Sequence, residues 1–74
     1  MENQNLIKMA NNIGAFFNSE PDKAQAVAGI EQHLKSFWEP RMRRQIIDYV
    51  QQDGTELMAI VAEAVRNLAA QRSL

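Results

Sequence analysis

The stretch His33-Leu34-Lys35-Ser36-Phe37-Trp38-Glu39-Pro40-Arg41-Met42 decides how the chain folds, because it contains a forced break between two helix-forming segments. The ring of Pro40 disfavours helical geometry at Glu39, so a helix arriving through Val27, Ile30 and Leu34 has to stop before it. The same proline suits the first position of a new helix, where its missing amide hydrogen costs nothing. The segment therefore predicts a corner between two helices, with Phe37 and Trp38 at the bend.

Upstream of the corner, the inward stripe is Ala24, Val27, Ile30, Leu34 and either Phe37 or Trp38. Adjacent helical side chains diverge by about 100 degrees, so both rings cannot enter one small core unless the helix has already unwound. Ser19 followed by Asp22 fits a Ser-x-x-acid cap and places Glu20, Pro21 and Asp22 in the first turn. Before it, Leu6, Met9, Ala10, Ile13 and Phe17 share one face of a helix over about residues 4–18.

Downstream, Met42, Ile46, Tyr49 and Val50 give a helix that opens at Pro40 and ends at Asp53-Gly54, where glycine supplies a left-handed residue. Thr55 is the expected cap of a last helix over about 55–72. That helix carries two stripes: Leu57, Ile60, Val61, Ala64 and Leu68, and beside them Met58, Ala62, Val65 and Ala69. Either it is a central helix touched on two sides, or its second stripe meets another polypeptide, which makes a homodimer of the isolated chain an open possibility. The expected fold is all-α, a compact bundle of about four short helices forming a single domain over residues 1–74.

A chain of 74 residues without cysteine has no disulfide, thiolate or iron–sulfur chemistry and must hold itself together by packing alone. A domain this small is marginal, and a partner subunit or self-association would help it. The net charge is -1, which sets up no long-range field toward nucleic acid or an anionic membrane. No apolar run reaches the roughly 20 residues of a membrane span, and Met-Glu-Asn-Gln-Asn at the start lacks the order of a secretion signal, so a cytoplasmic protein is expected.

Catalytic constellations are lacking in the sequence. His33 is the only histidine, Ser19 and Ser36 have no base with an orienting acid, and Gly14, Gly29 and Gly54 are too scattered to cradle a phosphate. No cofactor or metal is expected on these residues. Glu31 and Lys35, spaced i and i+4, read as a solvated helical pair.

The corner reads instead as a grip for a partner, built from His33, Phe37, Trp38, Glu39, Pro40, Arg41, Arg43 and Arg44. Tryptophan and arginine offer large contact area and fixed-geometry hydrogen bonding. Trp38 is the expected apolar anchor, Arg41 and Arg43 the expected partners for carboxylates, Pro40 the residue that sets the angle, and His33 a rim position. Arginine near a helix start opposes the macrodipole unless an external carboxylate compensates it, which also points to a partner. The same arginines and rings allow a second reading, a small nucleic-acid-binding or regulatory helical protein, although Glu39 and Asp48 lie close to them.

Two longer stretches carry a resemblance. Leu6-Ile7-Lys8-Met9-Ala10-Asn11-Asn12-Ile13-Gly14-Ala15-Phe16-Phe17 and His33-Leu34-Lys35-Ser36-Phe37-Trp38-Glu39-Pro40-Arg41-Met42-Arg43 resemble the delta subunit of soluble NAD-dependent formate dehydrogenase. The family pattern is Met-Ala-Asn-x-Ile-Gly-x-Phe-Phe, then His-Leu-x-x-Phe-Trp-acid-Pro-Arg-Met-Arg, then a closing Leu-rich helix. Glu39 stands where many relatives have aspartate, which keeps the charge, and residues 45–52 are not placed against the pattern. The resemblance implies a small non-catalytic accessory subunit that stabilises or helps assemble the molybdenum or tungsten catalytic alpha subunit of a cytoplasmic complex. Through that subunit it would meet the beta and gamma subunits, and none of the complex's cofactors would rest on the present residues.

Overall fold

Residues 3–71 are described by a computed structural model, in which four α-helices follow one another: α1 (Asn3–Phe17), α2 (Lys23–Phe37), α3 (Pro40–Gln52) and α4 (Ala59–Gln71). No strand occurs among the described residues. Arg72, the expected end of the last helix, lies outside them, as do Met1, Glu2, Ser73 and Leu74 of the expected domain. The Cα radius of gyration is 10.9 Å, against about 11 Å for a well-packed chain of this length.

The α1 face differs in detail from expectation. Leu6, Ile7, Ala10 and Gly14 are buried, Ile13 and Phe17 are half-buried, and Met9 is exposed. The apolar stripe is rotated toward Ile7 because Gly14 allows a close approach to α4. A Cβ there would lie 2.4 Å from Val61 Cγ2 and 3.0 Å from Met58 Sδ.

Two helix starts correct the sequence reading. α2 begins at Lys23, and Ser19 does not cap it. Asp22, with φ -90° and ψ 108°, is the N-cap, and its Oδ1 accepts from the Ala24 amide at 3.0 Å. Pro21 disfavours helical geometry at Glu20, which weighs against a helix opening at Ser19. Glu20 lies outside the helix and accepts instead from the Asp22 amide through Oε1 at 3.3 Å. Within α2 the buried residues are Ala26, Val27, Ile30 and Leu34, and Ala24 is exposed.

The fourth helix begins at Ala59, four residues later than Thr55, and its entrance is held from other helices. Gly54, at φ 77°, turns the chain after α3, and the Leu57 amide donates to the Gly54 carbonyl at 3.2 Å. Asn11 of α1 then accepts from the Met58 amide at 2.9 Å and donates to the Glu56 carbonyl at 2.9 Å. Tyr49 Oη of α3 accepts from the Glu56 amide at 3.0 Å. A side chain 47 residues away therefore performs the capping expected of Thr55.

Both stripes of α4 are used inside the chain. Leu57, Val61, Ala62, Ala64, Val65 and Leu68 are buried, while Met58, Ile60 and Ala69 pack half-buried against the same core. α4 touches α1, α2 and α3, as the central-helix alternative expects. Along the α2–α4 seam, Glu31 accepts from Asn67 at 2.9 Å and Gln71 at 3.1 Å, and Lys35 donates to Gln71 at 3.0 Å. The expected solvated pair Glu31 and Lys35 thus fastens two helices.

Candidate functional site

The corner forms where the sequence places it. α2 ends at Phe37, Trp38 (φ -90°, ψ 141°) and Glu39 (φ -69°, ψ 151°) are extended, and Pro40 is the first residue of α3. Extended backbone before proline is the conformation its ring enforces. Because the helix has already unwound at Trp38, the two rings part company. Trp38 turns inward to 6% exposure and joins the core, whereas Phe37, on the last turn of α2, stands 74% exposed.

This division corrects the expected roles of two residues. Trp38 closes the core beneath the corner and presents almost nothing to a partner; Phe37 is the ring left outside. Arg43, expected to reach a partner's carboxylate, is 8% exposed and faces α2. Its Nη1 donates to the carbonyls of Leu34 at 3.1 Å, Lys35 at 3.3 Å and Trp38.

The electrostatic reason is in the helix ends. The Leu34 carbonyl already accepts from the Trp38 amide at 3.1 Å, but the last carbonyls of α2 together form the negative end of its macrodipole, and a guanidinium laid across them compensates it. The conflict expected between arginine and the α3 N-terminus is thus met, at Arg43, by the C-terminus of the preceding helix. Nε of Arg43 is buried without a hydrogen-bond partner, so the fork is incompletely satisfied.

The groups left at the surface form a smaller set than the sequence suggested. His33, half-buried one turn earlier on α2, lies against Phe37 with ring centroids 4.7 Å apart and planes tilted by 40°. Glu39, Pro40, Arg41 and Arg44 are exposed. Arg41 and Arg44 are spaced i and i+3, which puts them on neighbouring positions of one helical face, and Arg43 points elsewhere. Among the described residues no three His, Cys, Asp or Glu side chains are grouped as a metal site requires.

Phe16 is a second exposed ring, 76% accessible and edge-to-face with Phe17 at 5.1 Å. The sequence reading did not single it out, although its place off the α1 apolar stripe is visible in the spacing. It lies at the C-terminal end of α1, where that helix gives way to the connecting turn.

A family model described as "NADH-dependant formate dehydrogenase delta subunit FdsD" matches residues 5–65, a span that takes in α1 from its third residue, α2, α3, all of the corner and the first half of α4. The chain belongs to the FdsD family. No curated protein and no solved structure matches it. The family match encloses both stretches on which the resemblance rested, Leu6 to Phe17 and His33 to Arg43. No helix among the described residues is long and apolar enough to cross a membrane.

Proposed function

We propose that this FdsD-family chain is a non-catalytic accessory subunit of a cytoplasmic NAD-dependent formate dehydrogenase. It binds the catalytic alpha subunit, stabilises it or assists its assembly, and through it belongs to a complex with the beta and gamma subunits. Docking uses the α2–α3 corner, with Phe37 as apolar anchor, His33 behind it, and Arg41 and Arg44 beside it.

The observation that carries this reading, within the family match, is the exposure of Phe37 beside a buried Trp38. A phenylalanine ring left 74% exposed beside a histidine contributes little to the isolated fold, whereas at an interface such a ring is a typical anchor. Catalysis by the chain itself draws no support, since the corner offers a ring, a histidine and two arginines without a nucleophile or a proton relay. The alternative of a small nucleic-acid-binding or regulatory helical protein is weakened: the fold takes one arginine and one ring, Arg43 and Trp38, out of the surface.

The test is affinity purification of the tagged full chain from its native cytoplasm, with the eluate assayed for formate-dependent NAD reduction. Recovery of a large molybdopterin subunit together with that activity is the expected outcome. Recovery of nucleic acid, or of other proteins without the activity, overturns the proposal.

A further inference from the structure

Charge is distributed unevenly along the chain. Residues 33–44 hold Lys35, Arg41, Arg43 and Arg44 against Glu39, while the remainder holds four Lys and Arg against eight Asp and Glu. A nearly neutral protein is thus divided into a basic corner and an acidic body. The fold then sets Arg43 on the carbonyls of α2, and the exposed charges of the corner and the first turns of α3 are Lys35, Arg41 and Arg44 against Glu39 and Asp48, still a basic excess. Lys35 is tethered to Gln71, which leaves Arg41 and Arg44 as the exposed forks.

We infer that the corner recognises an acidic rim around an apolar pocket on the partner protein: Phe37 enters the pocket, and Arg41 and Arg44 pair with carboxylates at its edge. This inference rests on the docking reading above and names the chemistry of the surface it meets. Charge complementarity carries it. Two guanidinium groups on one helical face match carboxylates bidentately, and a basic patch on an otherwise acidic protein orients the approach so that the corner arrives first. An acidic partner surface is otherwise repelled by the body of this chain, which suppresses docking through any other face. Nucleic acid is disfavoured for the same reason, since a long phosphate backbone meets the acidic body as well as the corner.

The experiment measures the affinity of the full chain for the purified catalytic alpha subunit at low and at high salt. It compares the native chain with Arg41→Glu/Arg44→Glu, Arg41→Gln/Arg44→Gln and Phe37→Ala. Both arginines are exposed, so circular dichroism of these variants is expected to match the native chain. Charge reversal is expected to weaken binding about tenfold or more at low salt, neutralisation less, and both differences to shrink as salt rises to about 0.5 M, where screening acts within a few ångströms. Loss from Phe37→Ala is expected to be nearly independent of salt.

Tight binding that neither salt nor charge reversal alters overturns the acidic-rim inference and leaves the docking proposal standing. Absence of any binding to the alpha subunit overturns both. Salt-sensitive binding of a single-stranded oligonucleotide, lost on charge reversal while binding to the alpha subunit is unchanged, assigns the arginines to phosphate and overturns the inference as well.

Discussion

The α2–α3 corner and the α3–α4 turn perform the same task by different means. Each carries the chain from one helix to the next, and in each a helix side chain hydrogen-bonds backbone groups of the connection or of the helix end beside it. At the corner that side chain is Arg43, only five residues beyond Trp38 and nine beyond Leu34. At the turn it is Asn11, 45 residues from Glu56 and 47 from Met58. The corner is therefore assembled from its own sequence, whereas the turn exists only once α1 has been brought against α4. A local device stays together as neighbouring helices shift; a non-local one reports whether the whole bundle has formed.

Breaking the corner from beneath is expected to have the largest effect. Trp38 is 6% exposed and part of the continuous core, so Trp38→Ala should cost about 3 to 5 kcal/mol. Total stability for a chain of this size is on the order of 4 to 11 kcal/mol. Urea denaturation should show a strongly lowered midpoint or outright loss of helicity. A Trp38→Ala chain that unfolds like the native one would place the ring outside the core.

Arg43→Met comes next, at about 1.5 to 3 kcal/mol, because it removes a charged donor from three carbonyls and keeps most of the aliphatic stem. Its loss should appear first at the C-terminal turn of α2. Amide exchange at Leu34 to Trp38 should quicken more than exchange in α4. Uniform acceleration through all four helices would mean that the corner is no more local than the turn.

At the turn, Asn11→Ala is expected to cost about 0.5 to 2 kcal/mol, the range for loss of a helix cap, while Thr55→Ala should change stability by less than about 0.5 kcal/mol. Chemical denaturation of the pair decides which residue caps α4. The reverse ranking would return the cap to Thr55 and make the two connections alike.

The same contrast explains what could be read in advance. Pro40, Asp53 and Gly54 act on the backbone within a residue or two of themselves, so the corner and the end of α3 were legible as spacing and chemistry. The start of α4 was not, because Thr55 looks like a cap in any linear reading and only the approach of α1 supplies the better one. Ser19 misled for a local reason: Pro21 disfavours helical geometry at Glu20, and Asp22 was the cap within reach. At the candidate site the residue types were legible and their directions were not. Sequence places Phe37 and Trp38 side by side, but the sorting of one outward and one inward depends on the helix ending between them. Arg43 likewise carries no mark that distinguishes it from Arg41 or Arg44 until α2 lies beside α3.

Phe37→Ala is expected to have the smallest effect on the fold and, for that reason, to sharpen the comparison most. The ring is 74% exposed and its recorded contact is with His33, so its removal should shift the denaturation midpoint by less than about 0.5 kcal/mol in equivalent stability. If the docking proposal holds, the same change lowers recovery of the catalytic subunit severalfold, as loss of an interfacial anchor does. Trp38→Ala and Phe37→Ala then separate cleanly: adjacent aromatic residues, one whose loss acts through folding and one whose loss acts through assembly. A Phe37→Ala chain that destabilises as much as Trp38→Ala would show the ring to be part of the core in solution. One that neither destabilises nor weakens recovery would leave the exposed ring without a role at the corner and move attention to Phe16 at the end of α1.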